Sequence, residues 1–261
     1  MARVPITKEE ATLPYYKYFI RPMAVLPEEK TMLADTPQPV GRGIPFSERD
    51  LFLSEAADYC HIGFGENADG TAYAANETYV EGATPEMLDW WFAWHAVGSD
   101  LRYKLWDPED HFYAKADNVA HVCNPDIPMN QKTWGVNHQI LEDIGAGKLS
   151  TTLHFMSPAS FGYTPSLVGT ARCSTLVCGG NTPAFMTHKC YPYRNGIMIA
   201  SYFWCGYMLT PDDNMVRIPD FSKAPVKPIM MAKLLYSHNV KEMTNLGTIL
   251  VDLYNEQKEN L

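Results

Sequence analysis

The feature that most constrains the fold is the stretch from Pro228 to Asn260, where apolar residues recur at helical spacing. They follow one another in steps of three and four residues or their sums, at Met231, Leu235, Leu246, Ile249 and Leu253. Residues with this period share one face of an α-helix, so the stretch predicts one long helix of about eight turns with an inward stripe. Gly247 costs roughly 1 kcal/mol relative to alanine inside a helix, and the close approach of another backbone would explain it.

Two polar residues, His238 and Glu242, fill the gap in this stripe between Leu235 and Leu246. They are four positions apart, which places their side chains one above the other on the same helix face. A neutral imidazole and a carboxylate that project together from the buried side of a helix suit half of a metal site or an acid/base pair. The structural alternative is a buried histidine whose hydrogen-bonding capacity is satisfied by the neighbouring carboxylate.

Composition excludes several functional classes. The 261 residues are 46% hydrophobic and 20% charged, as in an ordinary globular protein, and the formal net charge is −9. Because no run of Lys and Arg offers a track for phosphates, nucleic acid is not an expected partner. No apolar stretch is long enough for a signal peptide core or a membrane span, so we expect a cytoplasmic protein without membrane contact.

Residues 1–58 contain seven prolines and no long periodic segment. We predict an irregular arm with a short helix near Glu48–Tyr59, which either wraps the main domain or contacts a second subunit. The lack of a core in the arm favours a subunit contact, and hence a homodimer. Residues 59–261 are then the main domain.

The main domain alternates strand signals with tight turns. A helix is predicted at Glu86–Val97, after the N-terminal signal Thr84-Pro85-Glu86. The predicted strands are Thr71–Val80, Val136–Ile144, Ser150–Met156, Gly169–Cys178, Ala184–Tyr191 and Ile197–Met208. Gly179-Gly180-Asn181 and Asn195-Gly196 are predicted turns. Such strands, closed by one long helix, predict an α+β fold in which an antiparallel sheet curves around that helix.

Eight histidines are the main candidates for chemistry, because the chain contains no HExxH, GxSxG, P-loop or GxGxxG-after-strand motif. His95 follows the aromatic helix and suits a C-terminal cap. His138 precedes Glu142 by four residues in a predicted strand, so the two side chains should point to the same face. His111, His188 and His238 are the best candidates for active roles.

The sequence blocks TPEMLDWWFAWH and RYKLWDPEDH, followed by Glu142 and the terminal His238-x-x-x-Glu242, resemble the 2,4-diacetylphloroglucinol hydrolase and phloretin hydrolase family. The resemblance covers roughly residues 84–242. It implies a helix-grip (START-like) fold and a hydrolase that cleaves the carbon–carbon bond between an acyl group and a phloroglucinol ring. It also implies one zinc ion held by two His and two Glu, which in this chain are His111, Glu142 (31 positions later), His238 and Glu242.

The resemblance further implies residues that act on the substrate. Tyr103 belongs to the RYKLW motif, and His188 lies near the position where the family has a histidine. A tyrosine on a late strand that helps to hold the ring corresponds to Tyr202 or Tyr207. Tyr103 and His188 are therefore predicted to act on the substrate without binding metal, with His188 able to donate and accept a proton near neutral pH.

Two other classes of function stay open at this point. A non-catalytic helix-grip protein could use the same cavity to carry flat phenolic or hydrophobic ligands. A ligand set of two nitrogens and two oxygens is also compatible with iron or manganese.

Overall fold

The computed structural model describes residues 2–54, 58–212, 214–224 and 226–261, and its largest element is an eight-stranded antiparallel sheet. Its strands are β1 (Gly63–Glu66), β2 (Ala72–Glu81), β3 (His111–Ala116), β4 (Asn137–Glu142), β5 (Leu149–Met156), β6 (Thr175–Asn181), β7 (Ala184–Tyr193) and β8 (Gly196–Cys205). They pair in the order β1-β2-β8-β7-β6-β5-β4-β3. A separate pair is formed by β9 (Tyr207–Leu209) and β10 (Met215–Arg217).

Helices pack on both faces of this sheet and at its ends. They are α1 (Tyr16–Ile20), α2 (Glu28–Leu33), α3 (Pro85–Trp94), α4 (Leu101–Lys104), α5 (Val119–Val122), α6 (Pro158–Phe161), α7 (Pro228–Gly247) and α8 (Leu250–Gln257). Short 3-10 helices lie at Glu10–Thr12, Phe46–Leu53, Met129–Gln131, Pro165–Leu167 and Phe221–Lys223. The 20-residue helix α7 packs across β1, β2 and β8. The predicted α+β fold, with a sheet gripping a C-terminal helix, is confirmed.

The long C-terminal helix is interrupted, which the periodicity did not predict. α7 ends at Gly247, and Ile249 has a non-helical backbone with φ −122° and ψ −22°. The hydroxyl of Thr248 donates a hydrogen bond back to the carbonyl of Asn245, a local bond that competes with helix continuation. The break redirects α8 onto α3, where Tyr254 packs edge-on against Trp90.

The hairpin between β7 and β8 shows why a glycine is required. Tyr193 pairs with Gly196, so the turn residues are Arg194 and Asn195. Gly196 itself is the first residue of β8, and a Cβ there would lie 2.1 Å from the carbonyl oxygen of Val80 on β2. The predicted Asn-Gly hairpin is confirmed, with the glycine serving the approach of the next strand.

The predicted turn at Gly179-Gly180-Asn181 is wrong. These residues are the last three of β6 and pair with β7, and the chain turns at Thr182-Pro183 instead. A side chain at Gly180 would clash with the backbone of Ala184 and Phe185 on β7. The two glycines therefore allow close strand approach, and they do not mark the end of the strand.

The N-terminal arm packs onto the rest of the chain. The amide of Val4 donates to the carbonyl of Pro108, and the buried Glu10 forms an ion pair with Lys104 at 2.7 Å. The short helix predicted at Glu48–Tyr59 is a 3-10 helix over Phe46–Leu53, and the positions 55–57 of that prediction lie outside the described residues. Within the described ranges, none of the helices has the length and apolar character that a membrane span requires.

Candidate metal centre and active site

A cavity lies between the concave face of the sheet and α7. Its volume is about 140 Å³, about ten times the roughly 10–15 Å³ that one water molecule needs. Its walls are mostly apolar and aromatic, with contributions from Phe92, Trp106, Ile140, Leu153, Phe155, Met186 and Phe203. Glu142, His238 and Glu242 form the polar part of the wall nearest to α7.

The first half of the polar cluster is built by β3 and β4. His111 is the first residue of β3 and pairs directly with Glu142, the last residue of β4. The turn before His111 is held by Asp107, whose carboxylate accepts hydrogen bonds from the amides of Glu109 and Asp110. The strand pairing thus joins two residues that are 31 positions apart in the sequence.

The second half comes from α7, where His238 and Glu242 stack at the i,i+4 spacing. The Nε2 atoms of His111 and His238 lie 3.0 Å apart. The amide of Asn239 donates to the far oxygen of Glu242 at 2.8 Å, which orients the other oxygen, Oε2, toward the two histidines. The cluster therefore forms only when α7 docks on the sheet.

The spacing of these atoms fits a metal ion. Glu242 Oε2 lies 3.6 Å from Nε2 of His111 and 3.7 Å from Nε2 of His238, and for Glu142 Oε2 the same distances are 3.7 and 3.9 Å. Four ligands at 2.0–2.1 Å from a tetrahedral zinc are about 3.3 Å apart, which lies between the 3.0 Å that separates the two histidines and the 3.6–3.9 Å that separates them from the carboxylates. His111, Glu142 and His238 form one group that could hold a metal ion, and Glu242 supplies a further carboxylate at similar distances from the two histidines.

Burial shifts the pKa values of this cluster, and neighbouring charges add to that shift at some residues and oppose it at others. Burial, together with the neighbouring His238, holds the pKa of His111 well below its usual range. Burial also lowers the pKa of His238, but the carboxylates of Glu242 and Glu142 outweigh it and leave that pKa raised. For Glu242, burial raises the pKa to about 8. Such mutual perturbation is typical of functional sites.

Tyr103 contacts both residues of the β3–β4 half of the cluster, His111 and Glu142. Its ring stacks on that of His111 with centroids 4.0 Å apart and planes within 4°. Its hydroxyl donates a hydrogen bond to Glu142 at 2.5 Å and borders the cavity. Burial, with the nearby charge of Glu142, raises the pKa of the phenol well above its ordinary value, so the hydroxyl keeps its proton near neutrality.

His188 lies apart from the cluster, behind the cavity wall. Its ring stacks on Phe92 at 5.1 Å and meets the edge of Phe203 at 6.0 Å, and both of those residues line the cavity. Its Nδ1 atom is 2.8 Å from the hydroxyl of Ser201. Burial lowers the pKa of His188 to about 3, so the free site holds it neutral.

Tyr202 and Tyr207 do not line the cavity. The hydroxyl of Tyr202 accepts a hydrogen bond from the amide of Ile44, on the opposite face of the sheet. Tyr207 packs against Phe46 on that same outer side. The residue of β8 that faces the cavity is Phe203, which alternates with Tyr202 along the strand.

Two cavity histidines received no active role in the sequence analysis. His95 is the C-cap of α3, as predicted, with Nδ1 2.9 Å from the carbonyl of Trp91, and it also borders the cavity. His138 lines the cavity on the same face of β4 as Glu142. The four-residue spacing between His138 and Glu142 was the sequence signal that could have identified it.

A mostly apolar cavity with converging imidazole and carboxylate groups is typical of an enzyme. The family model described as the DAPG hydrolase PhiG domain matches residues 44–255. The chain therefore belongs to the DAPG hydrolase family, and it is a hydrolase, as the sequence predicts.

Curated relatives agree with this assignment. The chain is 48% identical to the phloretin hydrolase of Eubacterium ramulus, over 98% of this chain and 95% of the relative. It is 25% identical to the 2,4-diacetylphloroglucinol hydrolase of Pseudomonas protegens, over 93% of this chain and 84% of that enzyme.

Solved structures are similar only at low levels. The structure of Ara h 8.0201 aligns with a TM-score of 0.38 at 8% identity and covers 70% of this chain and 99% of that one. A conserved protein of unknown function from Enterococcus faecalis, EF2215, aligns with a TM-score of 0.34 at 9% identity, over 75% of this chain and 90% of that one.

Proposed function

We propose that this chain is a zinc-dependent hydrolase that cleaves the aryl–acyl carbon–carbon bond of acylated phloroglucinols. The observation that carries the proposal is the buried cluster of His111, Glu142, His238 and Glu242 at the wall of an apolar cavity. The names of the relatives support the substrate class, and the 48% identity to a phloretin hydrolase favours phloretin over diacetylphloroglucinol.

The reaction adds water across one bond. The bond between the ring carbon and the acyl carbon breaks, the ring carbon gains a proton, and the acyl carbon gains a hydroxyl to become a carboxylic acid. Because an aryl carbon is a poor leaving group until it is protonated, the site must supply a proton to the ring and water to the ketone. Zinc held by the four side chains would polarise the ketone or a ring hydroxyl and orient the substrate.

Tyr103 is the residue proposed to contact the reacting group. Its hydroxyl lies at the cavity wall beside Glu142 and keeps its proton, which it donates to Glu142 in the free site. If Glu142 binds metal, that hydrogen bond can be released and the hydroxyl can donate to the ketone or to a ring hydroxyl of the substrate. Because its ring stacks on His111, this hydroxyl has little freedom to move. A donor held in place in this way stabilises charge that develops on oxygen during the reaction.

His188 is the second proposed acid/base. It reaches the cavity only if the rings of Phe92 or Phe203 move aside, because both stand between it and the open space. Its role therefore depends on a rearrangement when substrate binds. The variant His188→Gln tests this: turnover near the wild-type rate would assign ring protonation to Tyr103 or to bound water.

The experiment that tests the whole proposal has two measurements. Protein purified without chelator is analysed for zinc, iron and manganese, and then incubated with phloretin and with 2,4-diacetylphloroglucinol while phloroglucinol products are followed. We expect about one zinc per chain and release of phloroglucinol from phloretin. If the protein contains stoichiometric iron, iron replaces zinc in the proposal. A protein with a full complement of metal that turns over neither compound would contradict the proposal.

We also propose that the chain forms a homodimer through its N-terminal arm and that it functions in the cytoplasm. The arm exposes large apolar side chains at Ile20, Val25, Met32 and Val40, and Val25 is 91% exposed. Light scattering at micromolar concentration tests this, with Val25→Glu as the variant expected to give monomer. Deletion of the whole arm would be less informative, since Tyr18 and Phe19 belong to the buried core. A monomeric wild-type chain would contradict the dimer.

A further inference from the structure

The imidazole of His138 has no hydrogen-bond partner within the described ranges, at either of its two nitrogens. The residue is 0% exposed and lines the cavity. Its neighbours are aromatic: the ring of Phe155 lies 4.4 Å away and the edge of His95 lies 5.3 Å away. The polar contacts that an imidazole normally makes are therefore missing from the surrounding protein.

Leaving such groups unpaired is costly. A buried donor or acceptor without a partner destabilises the folded state, and a neutral imidazole carries one of each. The other buried histidines of this region do have polar neighbours, with His95 near a backbone carbonyl and His188 near the Ser201 hydroxyl. His138 differs from them because both of its nitrogens are without a partner within the described ranges, and it lines the cavity, where a ligand can supply the contact.

The positions of His138 and Glu142 along β4 indicate which part of a ligand would contact His138. His138, Ile140 and Glu142 point to the same face, and the strand rises about 3.3 Å per residue, so His138 and Glu142 are separated by about 13 Å along it. Ile140 lies between them and also lines the cavity, so a ring placed against Ile140 would extend from the polar cluster toward the imidazole. Beyond Glu142 in the other direction come Ile144 and Leu149, and Leu149 is 53% exposed. The polar cluster thus lies between a closed inner end at His138 and an apolar mouth.

We propose that His138 is a specificity-determining residue that hydrogen-bonds a hydroxyl of the substrate's phenolic ring, with that ring in the inner end of the cavity and the acyl tail at the mouth. This inference rests on the proposed function. A phenolic hydroxyl is both donor and acceptor, so it can satisfy a neutral imidazole nitrogen of either kind. The polar side chains of Thr151, Asn181 and Thr182 also line the cavity, but each already has a hydrogen-bond partner in the protein. Ile144 and Leu149 at the mouth suit an alkyl or arylalkyl tail.

The test compares His138→Leu and His138→Gln with wild type, and uses His154→Gln as the matched control. His154 is a histidine of the neighbouring strand β5 that contacts Asn137 and lies outside the cavity. Each protein is assayed with phloretin and with analogues that lack one ring hydroxyl, and the binding of phloroglucinol itself is measured by calorimetry. Phloroglucinol has no bond to cleave, so its binding does not depend on catalysis.

For His138→Leu we expect phloroglucinol affinity and phloretin kcat/KM to fall about 10–100-fold, with His138→Gln between Leu and wild type. For the analogue that lacks the contacted hydroxyl, the variants should match wild type within about threefold. The unliganded His138→Leu protein should melt about 2–4 °C higher than wild type, because an unpaired polar group has been removed. His154→Gln should leave both binding and turnover unchanged.

Several outcomes would overturn the inference. Wild-type affinity and turnover in His138→Leu would remove His138 from recognition, and an equal loss for every analogue with a lower Tm would make it a structural residue. If His138→Leu fails to fold, His138→Gln decides alone. A wild-type protein that binds phloroglucinol but hydrolyses no acylphloroglucinol would refute the proposed function and keep this inference. A protein that does neither would refute both.

Discussion

The two faces of the eight-stranded sheet differ in whether the buried polar groups on them have hydrogen-bond partners. On the outer face, the amide of Ile44 donates to Tyr202 and its carbonyl accepts from the indole of Trp204. The ammonium of Lys189 on that face donates to the carbonyl of Phe52. On the inner side, both nitrogens of His138, Nε2 of His188 and the indole nitrogen of Trp106 have no partner within the described ranges.

This difference separates groups that hold the fold from groups that face a ligand. The outer hydrogen bonds tie residues 44–53 to the sheet, so their loss should lower stability without touching the cavity. The inner groups keep hydrogen-bonding capacity that a substrate can use. Tyr73 and Arg49 each have an unpaired atom on the outer side, and inner groups such as Asp89 do have a partner, so the contrast is a tendency.

The largest effect should come from Glu242→Gln, which alters the polar cluster on the inner side. The amide cannot replace a carboxylate as an anionic ligand, and at metal sites even the loss of a group that only hydrogen-bonds to a ligand costs about 10–100-fold. We therefore expect activity to fall about 10³-fold or more, together with metal content, as measured by turnover and elemental analysis. Glu256→Gln, on the surface of α8, is the control. Wild-type metal content with full turnover would remove Glu242 from the site.

Asp89 is a buried polar group on the inner side that does have a hydrogen-bond partner. It tests whether such a group affects stability without affecting turnover. Its carboxylate accepts a hydrogen bond from Thr175 at 2.6 Å, and burial raises its pKa to about 7. The folded state then holds a proton more tightly than the unfolded state, so stability is highest below the unfolded pKa and falls as pH rises toward 7. At about 1.4 kcal/mol per pKa unit, the loss is up to about 4 kcal/mol.

The variant Asp89→Asn should remove this pH dependence while turnover stays the same. Denaturant unfolding of both proteins at pH 5 and pH 8 gives the comparison, because the other titrating groups are common to the two. Equal pH profiles for variant and wild type would show that Asp89 is ionised in the folded protein.

A matched pair of tyrosines tests the two faces directly. Tyr103→Phe removes the hydroxyl that borders the cavity, and turnover should fall about 10²-fold with metal content unchanged. Tyr202→Phe instead leaves the buried amide of Ile44 unpaired, so stability should fall about 1–3 kcal/mol with turnover unchanged. A large loss of activity in Tyr202→Phe, at a temperature where the variant is folded, would contradict the contrast.

The smallest effect is expected at Gly247, where the end of α7 meets β2. A Cβ there would lie 3.4 Å from Val80 Cγ2, 3.8 Å from Thr78 Cγ2 and 4.0 Å from the carbonyl oxygen of Tyr79, which are ordinary contacts. Close backbone approach is therefore not what requires glycine. Gly247→Ala should raise stability by about 0.5 kcal/mol through helix propensity. Thermal unfolding measures this, and a loss above about 1 kcal/mol would show that β2 cannot accommodate the methyl group.

Local patterns in the sequence predicted one half of the site better than the other. The interruption of the apolar stripe by His238 and Glu242 needs only helix geometry, and the shared face of His138 and Glu142 needs only the period of a strand. The pairing of His111 with Glu142 depends on the register between β3 and β4. No local pattern encodes that register, so the prediction that His111 and Glu142 belong to one site came from the family resemblance.

Other features lay beyond the reach of such patterns. Residues Ile199–Cys205 of β8 are buried almost without exception, so alternation in polarity could not tell that Phe203 faces the cavity and Tyr202 faces away. The apolar residues Leu246, Ile249 and Leu253 keep a helical spacing across the break between α7 and α8. The sequence pattern therefore did not predict that break. In each case, packing against another element decided the outcome.

The order of the cluster residues along the chain has a consequence for biosynthesis. His111 and Glu142 leave the ribosome early, whereas His238 and Glu242 arrive only after β5 to β10 have been made. Between residues 142 and 238, a growing chain thus carries only half of the proposed ligand set. Full coordination of an ion by all four side chains has to wait until α7 closes over the sheet, so metal acquisition would accompany the final step of folding.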